Sequence, residues 1–306
     1  MNNIEKDLLK EIAGIENEEF KGAYNIRKNG QGVERKVTEN VNIVTKQDVS
    51  GIDIHVKENT KYEFIHIPVI ITESGLKDVV YNDFYIGKNA KVTIIAGCGI
   101  HNDHHKDSEH NGIHRFFLEK GAKVKYIEKH YGEGDGTGKR VLNPITEVYL
   151  KENATLEMDS VQIKGVDSTI RTTKGVIEEN ANFIVTEKIM THGNQFARTE
   201  FEVELNGENA STKVTSRSVA TENSKQEFYS KVIGNKKCFG HVECDAIIKD
   251  LAKVVAIPEI VANNVDANLI HEAAIGKIAG EQLTKLMTLG LTEKEAEDAI
   301  INGFLK

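Results

Sequence analysis

The chain contains little of several residue types that usually direct a functional interpretation. It has no tryptophan and only 6% aromatic residues, which disfavours an aromatic-lined groove for a polysaccharide. Acidic residues outnumber basic ones, 47 to 39, and the net charge is −8. Because no basic stripe interrupts this excess, nucleic acid and anionic membranes are poor candidate partners.

Long apolar segments are also missing. No run of eighteen apolar residues exists, and the first residues lack the apolar core of a signal peptide. We therefore expect a soluble, cytoplasmic protein. The three cysteines, Cys98, Cys238 and Cys244, argue against a disulfide scaffold and leave reduced thiols that could be buried, reactive or metal-binding.

What recurs along the chain is a short turn followed by an apolar strand. Each turn pairs a small or polar residue with alanine, and the strand after it alternates apolar residues with Lys, Glu and Thr. Successive turns lie near multiples of about 15 residues apart, with weaker turns filling the longer gaps. A repeat this short is too small for a pair of helices and predicts one coil of a β-solenoid. The turn alanines are Ala90, Ala122, Ala154, Ala181, Ala210, Ala252 and Ala267.

Both ends of the chain change to helical spacing. Residues 3–15 place apolar side chains at helical intervals and predict an amphipathic helix, while Thr292 with Glu295 predicts a capping box. Gly290 suits the left-handed residue that ends a helix over 280–289. We expect an all-β fold: a helical segment over 1–33, a parallel β-helix over 34–270 and a helical segment over 271–306. The apolar stripe of the C-terminal helices contains Leu283, Leu286, Met287, Ala296 and Ile300.

Five of the eleven histidines fall between residues 101 and 114. Imidazole is a common metal ligand, so metal binding is one interpretation of this stretch. The other is a solvated polar loop, because Asn111 and Gly112 disfavour the helix that would give two histidines the spacing of zinc sites. The sequence leaves both interpretations open for His101, His104, His105, His110 and His114.

A second chemically suggestive cluster lies where the strand pattern ends. Thiolate, imidazole and carboxylate together are plausible ligands of iron or zinc, although the spacing of the two cysteines here matches no compact zinc or ferredoxin motif. An inert core thiol is the alternative interpretation of Cys244. The candidates are Cys244, His271 and Glu272, with Cys238, His241 and Glu243 as secondary ones.

The number of coils between Cys244 and Glu272 limits what one chain can do. Each residue has nearly the same offset from its turn, so we place them two coils apart, about 10 Å at the spacing of stacked strands. That distance is too long for a shared single-metal site. A cluster, a bridging species or a second subunit is then needed.

These residues resemble the closing signature of the SufB/SufD family. The most specific part covers residues 244–304, and the coil repeat is compatible back to about residue 34. The resemblance rests on Cys244-Asp-Ala-Ile-Ile, Ala256-Ile-Pro-Glu-Ile260 and Ala267-Asn-Leu-Ile-His-Glu-Ala-Ala-Ile-Gly-Lys-Ile278, and is extended by Glu281-Gln-Leu283, Leu289-Gly-Leu-Thr-Glu-Lys-Glu-Ala296 and Ile301-Asn-Gly-Phe304.

Members of this family are scaffold subunits of the SUF machinery for iron–sulfur cluster assembly. The resemblance implies a right-handed parallel β-helix with helical ends, paired into a dimer and bound to the ABC-type ATPase SufC, which alone binds ATP. It implies a transiently assembled iron–sulfur cluster, a sulfur donor, cluster acceptor proteins and no enzymatic activity of the chain itself. Cys244 would accept sulfur and ligate the cluster, Glu272 would be its carboxylate partner, and the opposite subunit would contribute His271.

The chain is similar to a compact form of this family, because it lacks the extended N-terminal part of long SufB chains with its cysteine motif. Since one chain carries the cysteine, carboxylate and histidine positions, a homodimer could supply both halves of a site. The resemblance favours the C-terminal helices as an ATPase docking site, in addition to capping the solenoid. The alternatives are a solenoid enzyme acting on polysaccharide and a structural adaptor without a cofactor.

Overall fold

The computed structural model describes residues 2–13 and 20–306, which form a β-solenoid of about eight turns with three short helices near its ends. Two sheets enclose one long hydrophobic core. The prediction of an all-β solenoid with short terminal helices is confirmed. Among the described residues, no helix is both long enough and apolar enough to cross a membrane.

The first sheet is parallel except for an antiparallel hairpin at its N-terminal edge. From that edge its strands are β2 (Gln31–Lys36), β1 (Ala23–Lys28), β5 (Lys61–Ile71), β7 (Lys91–His101), β9 (Lys123–Glu133), β12 (Thr155–Lys164), β14 (Asn182–Thr191), β16 (Ser211–Ala220), β18 (Cys238–Ile248) and β20 (Ala267–Gly276).

The second sheet also begins with an antiparallel pair and continues in parallel, and two short strands share one place in it. From the same end its strands are β3 (Val41–Thr45), β4 (Gly51–Val56), β6 (Lys77–Ile86), β8 (Ser108–Leu118), β10 (Arg140–Leu142) with β11 (Ile145–Leu150), β13 (Ser168–Ile177), β15 (Phe196–Leu205), β17 (Lys225–Gly234) and β19 (Lys253–Ala262).

A complete turn of the solenoid contains one strand from each sheet. Lys123 lies opposite Thr155, 32 residues later, and Thr155 lies opposite Asn182, 27 residues later. The predicted unit of about 15 residues is therefore one strand and one corner, and the prediction that it forms a whole coil is wrong. The reason is that both corners of a turn need a small or polar residue before a strand, so they look alike in sequence.

The recurrent asparagines of the corners have a backbone explanation. Asn89, Asn153, Asn180 and Asn209 have φ values between 54° and 61°, and Gly121 takes the equivalent place at 69°. This left-handed region suits glycine and is tolerated by asparagine better than by most other residues. The alanine that follows each of them is fully buried, so the predicted turn pairs one strained position with one core position.

The first helix, α1 (Asn3–Ala13), packs on the outer face of the first sheet. Leu8 and Ile12 are 0% and 2% exposed. A Cβ atom at Gly99 would lie 3.1 Å from Leu8, and one at Gly97 would lie 2.7 Å from the Cβ of Ile12, so these two glycines of β7 make room for the helix. The last two residues of the helix predicted over 3–15 lie outside the described residues.

Two helices follow the last strand, α2 (Gly280–Thr288) and α3 (Glu293–Phe304). The capping box of Thr292 and Glu295 is present, and Gly290 has φ 100°. Lys188 Nζ donates to the carbonyl oxygen of Lys306 at 2.7 Å. Because Lys188 is an outward residue of β14, this contact places the end of the chain beside the outer face of the first sheet.

The strands extend beyond both limits expected for the β-helix, 34 and 270. They begin at Ala23, because β1 and β2 form a hairpin whose turn contains Asn29 and Gly30, both at positive φ. They end at Gly276. The glycine-rich entry was interpreted as loosely structured, but its glycine serves a tight turn.

Candidate functional site

The two polar stretches expected to form a site lie on neighbouring strands. Strands β18 and β20 pair in parallel, and Cys244 lies opposite Ala273, one residue along from Glu272. Neighbouring strands are separated by about 4.8 Å. The expected separation of two coils is therefore wrong, because the intervening strand β19 belongs to the other sheet.

Strand alternation divides the candidate residues between two faces. Cys244 is separated by two residues from Val242 and from Ala246, which are 1% and 4% exposed and point into the core. His271 lies opposite Val242 and points inward as well. One chain thus brings a thiol and an imidazole together inside the solenoid. The candidates of opposite parity, which face outward, are His241, Glu243 and Glu272.

The thiol of Cys244 is enclosed, with 1% of the residue exposed. Burial, with the charges of Glu187 and Asp245 adding to it, raises its pKa to about 12. The thiol is therefore protonated in the single chain, and a metal ion would have to displace the proton to be bound by the thiolate. Cys238 also points inward, at the corner opposite Ala267, and burial raises the pKa of its thiol too.

The imidazole of His271 has one free nitrogen. Its Nδ1 is 3.5 Å from the hydroxyl oxygen of Ser230, and its Nε2 is buried without a hydrogen-bond partner among the described residues. Burial, followed by the nearby His241, lowers the pKa of His271. A neutral imidazole with an unused nitrogen is a competent metal ligand.

Outside the solenoid, the other candidates form a separate surface group. His241 Nε2 lies 3.5 Å from Glu272 Oε2, and Glu243 lies directly opposite Glu272 across the two strands. The side chain of Glu272 is 66% exposed. Two carboxylates and an imidazole therefore meet on the surface that backs the Cys244 interior.

The C-terminal end of the solenoid is open. Strands β19 and β20 are the last of their sheets, so each leaves one ladder edge unpaired among the described residues. Ile260 and Ile275 occupy inward positions, yet they are 46% and 39% exposed. The expectation that the C-terminal helices cap this end is therefore wrong for these side chains.

An inward column that ends at Cys244 is polar on five consecutive strands of the first sheet. Sequence analysis did not identify the other four members, although their alternation with apolar residues of the same parity carries the signal. Each lies opposite the next in the parallel register. From β9 to β18 the column contains Glu128, Ser160, Glu187, Ser216 and Cys244.

One guanidinium joins the two acids of this column. Arg171 donates to Glu128 through Nη1, and its Nε lies 3.4 Å from Glu187 Oε1. Burial alone would raise the pKa of Glu128, but the charges of Arg171 and His130 outweigh it and hold that pKa well below its usual range. Burial raises the pKa of Glu187, which also accepts a hydrogen bond from Ser216 at 3.1 Å.

Only part of the histidine-rich stretch is a loop. His110 and His114 lie in β8, point inward and are 5% and 7% exposed, so the interpretation of a solvated loop is wrong for them. Their alternation with small and apolar residues is that of a strand. His110 Nδ1 lies 2.9 Å from Asp78 Oδ2, and His114 Nδ1 lies 2.7 Å from the hydroxyl of Tyr126.

The remaining histidines lie at the edge of the sheet and in the loop that follows. His101 contacts Asp103 at 2.8 Å and Glu133 at 3.1 Å, while His104 and His105 are exposed. Within the described part of the chain, no group of three or more His, Cys, Asp or Glu residues is arranged to hold a metal ion. The five histidines therefore do not converge on one site.

A small cavity beside Cys98 has a volume of about 20 Å³. This space is enough for one water molecule, which needs about 10–15 Å³. Burial raises the pKa of the Cys98 thiol well above its usual range. Ionisable side chains form much of the cavity wall, and they are His110, His114, Glu128 and His130.

The residues expected to bind a partner differ in accessibility. Met287 is 43% exposed, and Leu289, which the sequence analysis did not single out, is 76% exposed. Ala296 is fully buried, so its side chain cannot contact a partner as expected. The half-buried members of the predicted stripe are Leu283, Leu286 and Ile300.

Comparison with protein families gives one match that covers most of the chain. Residues 72–304 match a family described as SUF system FeS cluster assembly, SufBD core domain. The matched range contains the open end and both faces of the candidate site. It begins after β5, so the N-terminal strands lie outside it.

Individual relatives agree with this match. An iron–sulfur cluster assembly SufBD family protein of Methanocaldococcus jannaschii is 30% identical over 257 residues, which cover 82% of this chain and 79% of that protein. A SufBD family protein of Pyrococcus horikoshii is 30% identical over 264 residues, 84% of this chain and 57% of the relative. The iron–sulfur cluster assembly protein SufB of Bacillus subtilis is 24% identical over 229 residues, 72% of this chain and 47% of its own length.

Proposed function

This chain belongs to the SufBD family of iron–sulfur cluster assembly, and we propose that it is a scaffold subunit on which a cluster is built. It acts as a homodimer in the cytoplasm, together with a SufC-type ABC ATPase that binds the ATP. A sulfur donor protein supplies the scaffold, and acceptor proteins receive the finished cluster.

The observation that carries this proposal is the position of two ligands at the open end. Cys244 and His271 both point into the interior, on the last two strands of the first sheet. Cysteine thiolates hold iron–sulfur clusters, and histidines replace two of them in some clusters. Two copies joined end to end would bring two such pairs into one enclosed space, where one chain alone offers too few donors.

The exposed apolar end supports a second copy as the partner. Ile260 and Ile275 would be covered, and the unpaired edges of β19 and β20 would gain neighbours. Glu272 faces outward, next to His241. We assign it to the capture of incoming ferrous iron at the surface, because imidazole and carboxylate are common ligands of that ion.

Two buried thiols on one strand provide a matched test. Cys244→Ser and Cys238→Ser remove inward-facing sulfur atoms from the same strand, and only the first lies in the polar column beside His271. After anaerobic reconstitution with iron, sulfide and the ATPase, we expect Cys244→Ser to lose the cluster and Cys238→Ser to retain most of it. Iron, acid-labile sulfide and visible absorbance measure the result, and equal cluster contents would refute the assignment.

The second proposal concerns the ATPase. Every residue of α2 is at least partly exposed, and α3 is held to the solenoid by polar contacts such as Lys249 with Glu297. Helices held in this way retain an apolar surface for another protein. We propose that the surface of α2 around Met287 and Leu289 is the docking site.

The polysaccharide alternative gains no support from the aromatic residues on the outside of the second sheet. These rings form a ladder in which neighbours stack nearly parallel, with centroids 4.8 to 5.2 Å apart. Sugar binding would use the ring faces, whereas here the faces of neighbouring rings cover each other. The ladder is formed by His55, Tyr85, Phe117 and Tyr149.

A further inference from the structure

The N-terminal end of the solenoid contains a cavity of about 550 Å³. It lies inside the first turn, between the β1–β2 hairpin and the loop that joins β3 to β4. Its size is within the range of about 300–1,000 Å³ that is usual for small-molecule sites. A smaller group of side chains than in the following turns fills this part of the interior, which leaves space for a ligand.

One side of the cavity is apolar. Ile67 and Val69 of β5 are inward residues with 4% and 6% exposure, and they face Ile52 and Val80 from the second sheet. These side chains are the beginning of the solenoid core. An apolar group entering the cavity would rest on them and remove their exposed carbon atoms from water.

The other side of the cavity carries arginines with unused donors. Arg35 crosses the mouth and donates to Asn25 Oδ1 at 2.9 Å, to the carbonyl oxygen of Ile43 at 3.3 Å and to Thr45 Oγ1 at 2.9 Å. All three acceptors are neutral, and no carboxylate of residues 2–13 or 20–306 lies within ion-pair distance of Arg35. A guanidinium has five N–H donors, so two remain available.

Arg27 lies deeper and is 9% exposed. Its Nε and Nη2 donate to the carboxylate of Asp78, at 2.9 and 2.6 Å, and Nη2 also donates to Ser50. The two protons on its Nη1 have no acceptor within the described ranges. Two arginines therefore offer four unused N–H donors at one cavity.

Carboxylates are scarce on the same wall. Among the described lining residues, Glu34 is the only one, and its Oε1 accepts a hydrogen bond from the hydroxyl of Tyr24 at 2.5 Å. Lys46 adds a further cation to the lining, and the acids that pair with it, Asp53 and Asp83, are not lining residues. The cavity surface is therefore electropositive next to an apolar floor.

We propose that this cavity binds an organic anion, with its charged group on Arg35 and Arg27 and its apolar part on Ile67 and Val69. A planar guanidinium suits a carboxylate or a phosphate ester, and both present oxygen pairs to its fork. Most of the lining precedes residue 72, where the family match begins. The site is therefore separate from the scaffold role and is a property of the N-terminal strands of this chain.

The test uses three probes of equal chain length on the full-length protein: octanoate, octyl phosphate and uncharged 1-octanol. Isothermal titration calorimetry should show one octanoate or octyl phosphate molecule bound per chain, and weaker binding of 1-octanol. Tighter binding of one anion identifies the head group as carboxylate or phosphate. Arg35→Gln should weaken anion binding by about tenfold, because it removes a charge-assisted hydrogen-bond pair.

Two further variants separate the cavity from the charge. Gly32→Phe fills the space, since Gly32 lies opposite Arg27 and lines the cavity, and no described atom lies within 4 Å of the position that a Cβ would take there. It should abolish binding while the fold, monitored by circular dichroism, is retained. Lys36→Gln removes a nearby cation that does not line the cavity and should change nothing. Absence of anion binding at millimolar concentration, full binding by Gly32→Phe or Arg35→Gln, or equal affinity for 1-octanol would overturn the proposal.

Discussion

The two ends of the solenoid are finished in different ways. At the N-terminal end, β2 and β3 continue the sheets as antiparallel strands, and inward Val41 and Ile43 are 0% and 4% exposed. At the C-terminal end, inward Ile260 and Ile275 are 46% and 39% exposed. A parallel solenoid cannot pair its own last edge. The N-terminal end is covered by the chain itself and has room for a small ligand, whereas the C-terminal end fits another protein.

The largest expected effect comes from placing a charge at the open end. Ile260→Lys would bury an unpaired ammonium in the proposed homodimer interface, and we expect at least about a 100-fold increase in the dimer dissociation constant. Val44→Lys is the matched control at the other end, since Val44 is 43% exposed there. Sedimentation equilibrium measures both variants. Equal dimerisation of the two would show that the open end is not the interface.

The corners of the solenoid were predictable because each carries a local signal. A residue such as Asn153 at φ 61°, followed by the fully buried Ala154, fixes both the turn and the side of the strand that faces inward. The assignment of successive strands to two sheets was not predictable in this way. Both corners of a turn have the same backbone requirement, so the repeat reports half a turn.

The candidate site was predicted in its residues and mistaken in its geometry. The parity of Cys244 with Val242, and of Glu272 with the outward Ile270, was present in the sequence and would have separated the two faces. The pairing of Glu128 with Arg171 had no such signal, because 43 residues and three corners separate them. Buried charges of this kind become visible only when the register of the strands is known.

The next effect contrasts the helices near the two ends. Leu8 of α1 is fully buried against β7, so Leu8→Ala should lower the free energy of unfolding by about 2–4 kcal/mol. Leu289, next to α2, is 76% exposed, and Leu289→Ala should change it by less than about 0.5 kcal/mol. Urea unfolding followed by circular dichroism compares them. A large loss in Leu289→Ala would mean that the C-terminal helices are packed as firmly as α1.

The interior of the N-terminal half should respond to pH. Burial lowers the pKa of His114 to about 4, whereas an unfolded chain has the usual value of about 6.5. As the pH falls from about 6.5 to 4, the unfolded state takes up the proton first, so stability is lost across this window, by up to about 3 kcal/mol. His114→Gln should flatten that part of the profile. An unchanged slope in the variant would show that other groups cause the dependence.

The smallest effect on stability should accompany a specific effect on binding, at the helices proposed to dock the ATPase. Met287 is 43% exposed on α2, so Met287→Ala should alter the free energy of unfolding by less than about 0.5 kcal/mol. If this side chain inserts into a pocket of the ATPase, its truncation costs more than about 1 kcal/mol of binding, or roughly a fivefold loss of affinity. Gln282→Ala is the control, because Gln282 is exposed on the same helix and lies outside the predicted apolar stripe. Surface-immobilised ATPase titrated with each variant gives the affinities. A loss in Gln282→Ala equal to that in Met287→Ala would place the contact on a different face of α2, and full affinity in both would move the docking site away from this helix.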